Sequence, residues 1–208
     1  MDQKDRMVSG KLYKVEGKSL YEAHRKSKQL LDAFNTTKFE EKEKRLAIIH
    51  DLFDSFGARG FITPPFHCDY GMNVAIGDDF YANYDCIFLD VNRIEIGDRV
   101  MFGPRVSLLT ASHPIDKDVR NARLEYGLPI VIGNNVWIGG NVTVNPGVTI
   151  GDNVVIGSGA VVTKDIPDGV IAAGNPCKVI RKITEEDKLY WENQKALYEQ
   201  EMKMETDE

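Results

Sequence analysis

Apolar residues recur at every sixth position in the second half of the chain. Written in sixes from residue 132, the sequence reads IGNNVW, IGGNVT, VNPGVT, IGDNVV, IGSGAV and VTKDIP. One apolar residue opens each hexapeptide, and a second, small or branched, occupies its fifth position. A helix would repeat near every 3.6 residues and a strand at every second residue, whereas a period of six is typical of a parallel β-helix. The pattern therefore predicts a coil of short strands and turns.

The same phase returns upstream, in hexapeptides that begin at Ile76, Ala82, Ile96, Phe102 and Leu108. The intervening stretch FLDVNRIE is two residues longer than one repeat, which predicts a small bulge or loop. Gly, Asn and Asp follow the first apolar residue of many repeats, because the turns need backbone angles that other residues disfavour. An ordinary β-sandwich would need alternation at every second residue and irregular turns, so the even spacing argues against it.

The repeat disappears between Leu108 and Ile132. The segment HPIDKDVRNARLEYGLP is polar and charged, with a proline near each end, so we predict a loop extruded over residues 113–130 from one corner of the coil. Such loops are usually functional. His113 stands where the repeat ends and the loop begins, which places an imidazole in solvent at a corner. A surface histidine without a chemical role is the alternative.

Both ends of the chain have helical periodicity instead. The sequences Ser19–Glu22 and Thr37–Glu40 fit capping boxes, and Thr184–Asp187 opens a third segment with helical spacing. We therefore predict a mainly β protein. Its expected parts are an N-terminal helical segment over residues 1–57, a parallel β-helix over 58–183 and a C-terminal helix over 184–208.

Composition narrows the class of function. The 208 residues include 26 Lys and Arg against 32 Asp and Glu, and the net charge of -6 argues against a general nucleic-acid binder. The N-terminus has no apolar signal region and no stretch is apolar enough to span a membrane, so we expect a cytoplasmic protein without a membrane partner. Cys68, Cys86 and Cys177 lack the paired spacing of a disulfide framework or zinc site, so buried reduced thiols are expected.

Several sequence blocks resemble the maltose and galactoside O-acetyltransferases of the hexapeptide-repeat acyltransferase superfamily, the maltose branch most closely. They span nearly the whole chain and include SGKLY, FHCDYG, FYANYDCIFLD, TASHPID, IGNNVWIGGNVTVNPGVTIGDN, GSGAVVTKDIP and AGNPCKVIRKI. The resemblance implies a left-handed parallel β-helix that assembles as a homotrimer, with acetyl-CoA bound along the coil between neighbouring subunits. It also implies acetyl transfer to a hydroxyl of a sugar such as maltose or glucose. A galactoside or amine-bearing acceptor, or a scaffold without catalysis, is the alternative.

In this family, the histidine that matches His113 is the general base. It removes the proton of a hydroxyl as that hydroxyl attacks the thioester, and no acyl-enzyme is needed because the thioester is already activated. The resemblance gives Glu125 the role of orienting the imidazole, with a solvated loop glutamate as the alternative. It also places the backbone N–H of Gly140 beside the oxyanion, with a plain turn glycine as the alternative. The galactoside branch commonly has serine there.

The resemblance assigns the sugar pocket to Asp69, Asn83 and Asp90, whose carboxylate and amide groups suit hydroxyls. Asp69 could instead cap a turn, and Asp90 could close the bulge before Ile94. Aspartates of the galactoside branch are replaced by Val91 and by Val15. These two differences weaken the assignment to galactosides.

The resemblance places acetyl-CoA along Trp137, Gly139, Ser158, Thr163, Lys164, Lys178 and Arg181. Of these, Ser158 and Thr163 match positions along the pantetheine arm. Lys178 and Arg181 match the cationic end that receives the nucleotide phosphates, although a solvated charged face is the alternative.

No metal is expected. A zinc hydratase on the same type of coil needs three histidines that converge on the metal. The chain has four histidines, and His24 and His50 fall in the predicted N-terminal helices. Only His67 and His113 remain, which is too few for that site.

Overall fold

The structure is a computed structural model that describes residues 1–206. It contains a β-solenoid of about six turns with helices at both ends, as the period of six predicts. The helices are α1 Gln3–Val8, α2 Lys18–Asn35, α3 Lys42–Leu52, α4 Lys117–Asn121 and α5 Glu185–Thr206. The last two positions of the predicted C-terminal helix, 207 and 208, lie outside the described residues.

Each turn of the solenoid adds one short strand to each of three faces. The strands are β1 Ser55–Phe56, β2 Phe61–Ile62, β3 Phe66–Cys68, β4 Val74–Ile76, β5 Tyr81–Ala82, β6 Cys86–Leu89, β7 Ile94–Ile96, β8 Met101–Phe102, β9 Ser107–Leu109, β10 Ala111–Ser112, β11 Tyr126–Gly127, β12 Ile130–Ile132, β13 Trp137–Ile138, β14 Thr143–Val144, β15 Thr149–Ile150, β16 Val155–Ile156, β17 Val161–Val162, β18 Val170–Ala173 and β19 Lys178–Lys182. Face 1 has the order β1-β4-β7-β12-β15, face 2 the order β2-β5-β8-β13-β16-β18-β19, and face 3 the order β3-β6-β9-β14-β17. Pairing within the faces is parallel except between β18 and β19.

The apolar positions of the repeat fill the interior. All twelve positions of the two predicted series are buried, namely Ile132, Val136, Ile138, Val142, Val144, Val148, Ile150, Val154, Ile156, Ala160, Val162 and Ile166. The first turns are longer, because Ile76 pairs with Ile96, twenty positions on, while Ile132 pairs with Ile150, eighteen positions on. The additional residues fall where face 3 meets face 1, as the length of FLDVNRIE indicates.

The residues after each apolar position have two different tasks. Asn135, Asn141 and Asn153 adopt left-handed angles, with φ between 54° and 58°, as the turn argument predicts. The glycine that follows isoleucine in each IG pair does not adopt a left-handed angle. At Gly133 a Cβ would lie 2.4 Å from Asp152 Oδ1, so this glycine permits close stacking of successive turns rather than an unusual φ.

The N-terminal helices form, but not at the predicted capping boxes. Helix α2 begins at Lys18 after an N-cap at Gly17, so Ser19 already lies in the first turn. Helix α3 begins at Lys42, and Thr37 instead accepts a hydrogen bond from Arg45. The third predicted start is confirmed, because the Thr184 N–H donates to Asp187 Oδ2 at 2.9 Å.

Two further predictions concern membrane-spanning segments and the state of the cysteine thiols. Within residues 1–206, none of the helices has both the length and the apolar character that a membrane span requires. All three cysteines are free and buried, as predicted. Cys86 packs in the core with no exposed surface.

Candidate active site

Two edges of the solenoid carry the candidate residues. We call the edge where face 2 meets face 3 the Gly140 corner, and the edge where face 3 meets face 1 the His113 corner. The predicted extruded segment leaves the His113 corner between β9 and β12. There β10 and β11 pair antiparallel, and α4 lies between them. The paired strands β10 and β11 therefore form the base of the extruded segment. They lie at the same edge of the solenoid where the earlier turns have their additional residues.

His113 follows β10 and has its imidazole largely in solvent. Its Nε2 lies 3.7 Å from Glu125 Oε2, and the exposed fractions of the two side chains are 58% and 16%. Arg120 holds this part of the segment, since its Nη1 donates to the carbonyls of Pro114 and Ile115 at 2.9 and 3.0 Å. The Glu125 carboxylate is thus mostly enclosed and faces the imidazole, unlike a solvated loop glutamate.

Tyr13 fixes the Glu125 carboxylate from the other side. The phenol donates to Glu125 Oε1 at 2.5 Å, and the two residues also exchange backbone hydrogen bonds of 2.9 and 3.1 Å. Burial, followed by the hydrogen bond to Glu125, holds the pKa of the Tyr13 phenol well above its ordinary value. The hydroxyl therefore stays protonated and donates to the carboxylate. Sequence reasoning missed Tyr13, although it lies in the SGKLY block.

A pocket of about 490 Å³ opens beside the imidazole. Its walls are residues 14–16 of the N-terminal segment and the side chains of His113, Arg120, Arg123 and Glu125. The N-terminal segment reaches this place because α1 contacts β11 and because Tyr13 bridges to Glu125. The pocket has room for a small polar molecule next to the candidate base.

Asp90 lies at the His113 corner, one turn earlier in the solenoid, and is fully buried. Its Oδ1 accepts from the N–H groups of Asp69 and Tyr70 at 3.1 and 2.8 Å, and its Oδ2 from the N–H of Asn73 at 3.3 Å. Burial raises the pKa of Asp90 to about 7, although these amides offset part of the rise. Asp90 thus ties two turns of the solenoid together.

Asp69 lies at the same corner and is partly buried. Burial raises the pKa of its carboxyl, while the charges of Lys28 and His24 act in the opposite direction. Helix α2 brings these two side chains to the corner. Asp69 is thus a partly exposed acid within electrostatic range of Glu125.

The Gly140 corner holds a second group of candidates, namely Asn83, Gly139, Gly140 and Ser158. Gly140 and Ser158 lie on successive turns, since the Gly159 N–H donates to the Gly140 carbonyl at 2.9 Å, whereas the turn after β8 separates them from Asn83. A Cβ on Gly139 would lie 2.6 Å from Ser158 Oγ, so glycine is required there by close approach. The Asn83 side chain accepts from the Tyr84 N–H at 2.8 Å.

Gly140 differs from an ordinary turn glycine. Its φ is outside the left-handed region, and a Cβ would approach only Pro104, at 3.2 Å. Within residues 1–206 its N–H donates to no acceptor. The position therefore offers an unused backbone donor at a partly exposed site.

The remaining candidates are distributed along the coil. The Trp137 side chain is half exposed on face 2, and Thr163 and Lys164 follow β17 at the His113 corner. Lys178 and Arg181 lie on β19, where Arg181 forms a two-pronged ion pair with Asp187 of α5 at 2.5 and 2.8 Å. That hydrogen bond raises the pKa of Arg181 and lowers the pKa of Asp187.

One chain does not bring all the candidates together. His113, Glu125, Asp69 and Asp90 share one corner, whereas Asn83 and Gly140 occupy the other, with face 3 between them. Within the described part of the chain, no group of three or more His, Cys, Asp and Glu side chains is arranged to hold a metal ion.

Comparisons with known proteins agree with this architecture. A family profile described as the maltose acetyltransferase hexapeptide capping motif matches residues 6–57, and one described as bacterial transferase hexapeptide (six repeats) matches residues 129–164. Galactoside O-acetyltransferase of Escherichia coli K12 is 44% identical over 191 residues, which cover 92% of this chain and 94% of that protein.

Two solved structures have the same fold over most of their length. A maltose O-acetyltransferase from Clostridium difficile 630 has 53% sequence identity and a TM-score of 0.88, with 88% of this chain and 98% of that chain covered. A galactoside acetyltransferase in complex with coenzyme A has 44% identity and a TM-score of 0.88, with 90% and 94% covered. The predicted resemblance is confirmed: the chain belongs to the maltose and galactoside O-acetyltransferase family of hexapeptide-repeat acetyltransferases.

Proposed function

We propose that the protein transfers the acetyl group of acetyl-CoA to a hydroxyl of a sugar such as maltose or glucose. The observation that carries the proposal is the His113–Glu125 pair beside an open pocket, in a chain of this family. Acetyl-CoA as the donor is supported by the related galactoside acetyltransferase, whose structure contains coenzyme A. The acceptor hydroxyl would enter the pocket next to the imidazole.

His113 would act as the general base. Its imidazole removes the hydroxyl proton as the oxygen attacks the thioester carbonyl, and the CoA thiolate then leaves with the electron pair of the broken C–S bond. The imidazolium that forms is stabilised by Glu125, whose carboxylate lies 3.7 Å away and is held by Tyr13. The proton on His113 can then pass to the leaving thiolate. Atoms and charges balance without a covalent enzyme intermediate.

The Gly140 N–H would stabilise the negative charge on the thioester oxygen. A backbone donor already fixed by the coil costs no reorganisation when that charge develops. The unused N–H at the partly exposed Gly140 corner supports this role. No cysteine of the described chain competes as a nucleophile, because burial raises the pKa of Cys86 to about 11, places the pKa of Cys68 well above its ordinary value and also raises the pKa of Cys177.

The complete site would form between two copies of the chain. His113 and Gly140 occupy different corners of one coil, so a general base and an oxyanion donor can meet only if the corner of one copy faces the corner of another. A closed ring of three copies satisfies this at each interface, which supports a homotrimer with three sites. The acceptor would then contact Asp69 and Asn83 from neighbouring subunits, with Asp90 supporting the corner from inside.

Acetyl-CoA would lie along the same interface. Trp137, Gly139 and Ser158 are close to Gly140 along the coil, and Thr163 and Lys164 belong to the opposite corner. Lys178 and Arg181 would bind the nucleotide phosphates at the end of face 2. Arg181 would share its guanidinium between a phosphate and Asp187, its present partner.

The test is acetyl transfer to a panel of acceptors, followed as free-thiol release from acetyl-CoA. Maltose, glucose, a galactoside and glucosamine separate the maltose-like acceptor from galactoside and amine acceptors. We expect turnover with glucose or maltose to exceed that with the galactoside, because Val15 and Val91 replace aspartates of the galactoside branch. Binding of CoA without turnover on any acceptor would contradict catalysis on sugars, and absence of CoA binding would indicate a scaffold.

A further inference from the structure

Cationic groups dominate the wall of the pocket beside His113. Lys14, Arg120 and Arg123 line it, against the carboxylates of Glu16 and Glu125. Glu125 is already occupied by the Tyr13 phenol and faces the imidazole. Glu16 is then the one lining carboxylate left to oppose three cations. This excess is local, since the whole chain has a net charge of -6.

Arg123, in the wall of this pocket, differs from the other arginines that have the same backbone conformation. Four arginines of the described chain adopt left-handed backbone angles, and three of them have a side-chain partner. Those three contacts are Arg59 with Asp79, Arg99 with Asn135, and Arg105 with Asp85. The Arg123 side chain, at φ 59°, has no hydrogen bond or ion pair within residues 1–206.

The backbone at Arg123 would accept glycine more easily. The residue directly follows the C-cap of α4, where a left-handed conformation favours glycine. Arg123 lines the pocket, is exposed, and has no intramolecular side-chain partner within residues 1–206, so its guanidinium is available to a ligand. Lys14 supports this reading, because its ammonium also lacks a hydrogen bond or ion pair in the described chain.

We infer that the preferred acceptor is a sugar that carries an anionic group, a carboxylate or a phosphate, and that this group binds between Lys14 and Arg123. This inference rests on the proposed function and adds the charge class of the sugar. Arg120 contributes charge, although one of its nitrogens is engaged by the carbonyls of Pro114 and Ile115. An oxyanion in a fork of guanidinium and ammonium forms charge-assisted hydrogen bonds that a neutral sugar cannot form.

The experiment compares matched acceptors that differ in charge. Glucose, glucuronate and glucose 6-phosphate are each assayed with acetyl-CoA at low and moderate salt, and kcat/KM is measured from free-thiol release. We expect at least one of the two anionic sugars to exceed glucose by about tenfold to a hundredfold, the value of a charge-assisted hydrogen bond. The glucuronate and glucose 6-phosphate arms distinguish a carboxylate from a phosphate.

Arg123→Gly tests the residue directly, because glycine keeps the turn without strain. It should remove most of the preference for the anionic sugar. Arg59→Gly is the matched control, since it also replaces a left-handed arginine, in the first turn of the solenoid, and should retain the preference. Isothermal titration with glucose 6-phosphate and glucuronate in the presence of CoA gives a second readout that does not depend on turnover.

Three results would overturn the inference: equal kcat/KM for glucose and both anionic sugars, an Arg123→Gly variant that keeps the preference, or one that raises KM for acetyl-CoA alone. The last would assign the cations to CoA. If no sugar is acetylated, yet an anionic sugar binds and Arg123→Gly abolishes binding, the anion site stands and the proposed function fails. If no sugar is acetylated and neither anionic sugar binds, both fail.

Discussion

Tyr13 and Glu125 are joined by three hydrogen bonds across 112 positions of sequence. Two are backbone bonds in opposite directions, and the third runs from the phenol to Oε1 of the carboxylate. The other oxygen of that carboxylate faces His113 at 3.7 Å. The N-terminal segment is therefore part of the site, because it fixes the group that faces the candidate base.

Tyr13→Phe should lower kcat without changing KM for acetyl-CoA. The variant keeps the buried ring but removes the donor to Glu125, and a hydrogen bond to a charged group is worth about tenfold to a hundredfold. Without the phenol, the carboxylate is no longer held beside the imidazole and should stabilise the imidazolium less. The low-pH limb of kcat should thus move to lower pH.

Tyr21→Phe is the control for this effect, since Tyr21 is exposed on α2. Steady-state kinetics over a range of pH values measure both variants. If Tyr13→Phe leaves kcat and the pH limb where they are in the wild type, Tyr13 contributes packing alone. A fall in thermal stability that accounts for all the lost activity would lead to the same conclusion.

Lys178 and Arg181 should contribute to the binding of acetyl-CoA and not to the binding of the sugar. Replacing both by alanine should raise KM for acetyl-CoA well above any change in KM for the acceptor, because phosphates lose their cationic partners. Asp187→Ala is the matched control. It also frees α5 from β19 but leaves the Arg181 charge, so KM for acetyl-CoA should not rise. Equal increases in the KM for acetyl-CoA and the KM for the acceptor would refute the assignment.

The solenoid could be predicted because its information is local and repeated. Each hexapeptide specifies two inward positions, and all twelve positions of the two series 132–162 and 136–166 are buried. The place of His113 followed from the same register, since the repeat stops just before it. The structural role of glycine in the repeat was harder to predict from sequence, because the close contact at Gly133 is made with the next turn of the solenoid.

The contacts that complete the site could not be predicted from local patterns. Tyr13 lies in a segment with no repeat, and its partner is far away in sequence. Ser19 and Thr37 do not cap their helices, because their side chains bond instead to Asp2 and to Arg45, and neither helix has a side-chain hydrogen bond at its N-cap. The pairing of Arg181 with Asp187 depends on the direction in which α5 leaves the coil.

Mixed assemblies should recover activity if one site uses two copies of the chain. His113→Ala and Gly140→Pro each remove one side of the site, the second by deleting the N–H. When the two inactive variants are unfolded together and refolded, about a quarter of the interfaces in a random closed ring should hold both functional residues. Specific activity should return to that fraction of the wild-type value.

Refolding each variant alone controls for the procedure, and native mass spectrometry of the mixture confirms that assemblies with both variants form. Recovery of activity would support a shared site. No recovery in mixed assemblies, or a stable active monomer at low micromolar concentration, would contradict the arrangement between subunits.

Asp90 should make the protein less stable as the pH rises. Burial raises the pKa of its carboxyl to about 7 from 3.8, so the folded chain holds a proton that the unfolded chain has released between these values. Its contribution to stability is thus full below about pH 4 and lost as the pH rises to about 7. Asp90→Asn removes this dependence.

Urea unfolding at pH 5 and pH 7.5, at one protein concentration, measures the difference. Between these values the wild type should lose about 2 to 3 kcal/mol more free energy of unfolding than Asp90→Asn, because each unit of pKa shift is worth about 1.4 kcal/mol. Parallel changes in the two proteins would show that Asp90 is ionised throughout. A wild type that gains stability over this interval would show that the three amides outweigh burial.

The pH dependence of kcat in His113→Ala tests the central claim, that His113 is the general base, most directly. His50→Ala, on the exposed surface of α3, is the matched control. His113→Ala should keep the assembly and the affinity for CoA, lower kcat by roughly 10²- to 10⁴-fold and lose the low-pH fall that an imidazole base produces. A variant that keeps most of its kcat, or keeps the same low-pH fall, would contradict the assignment and place the base on another group.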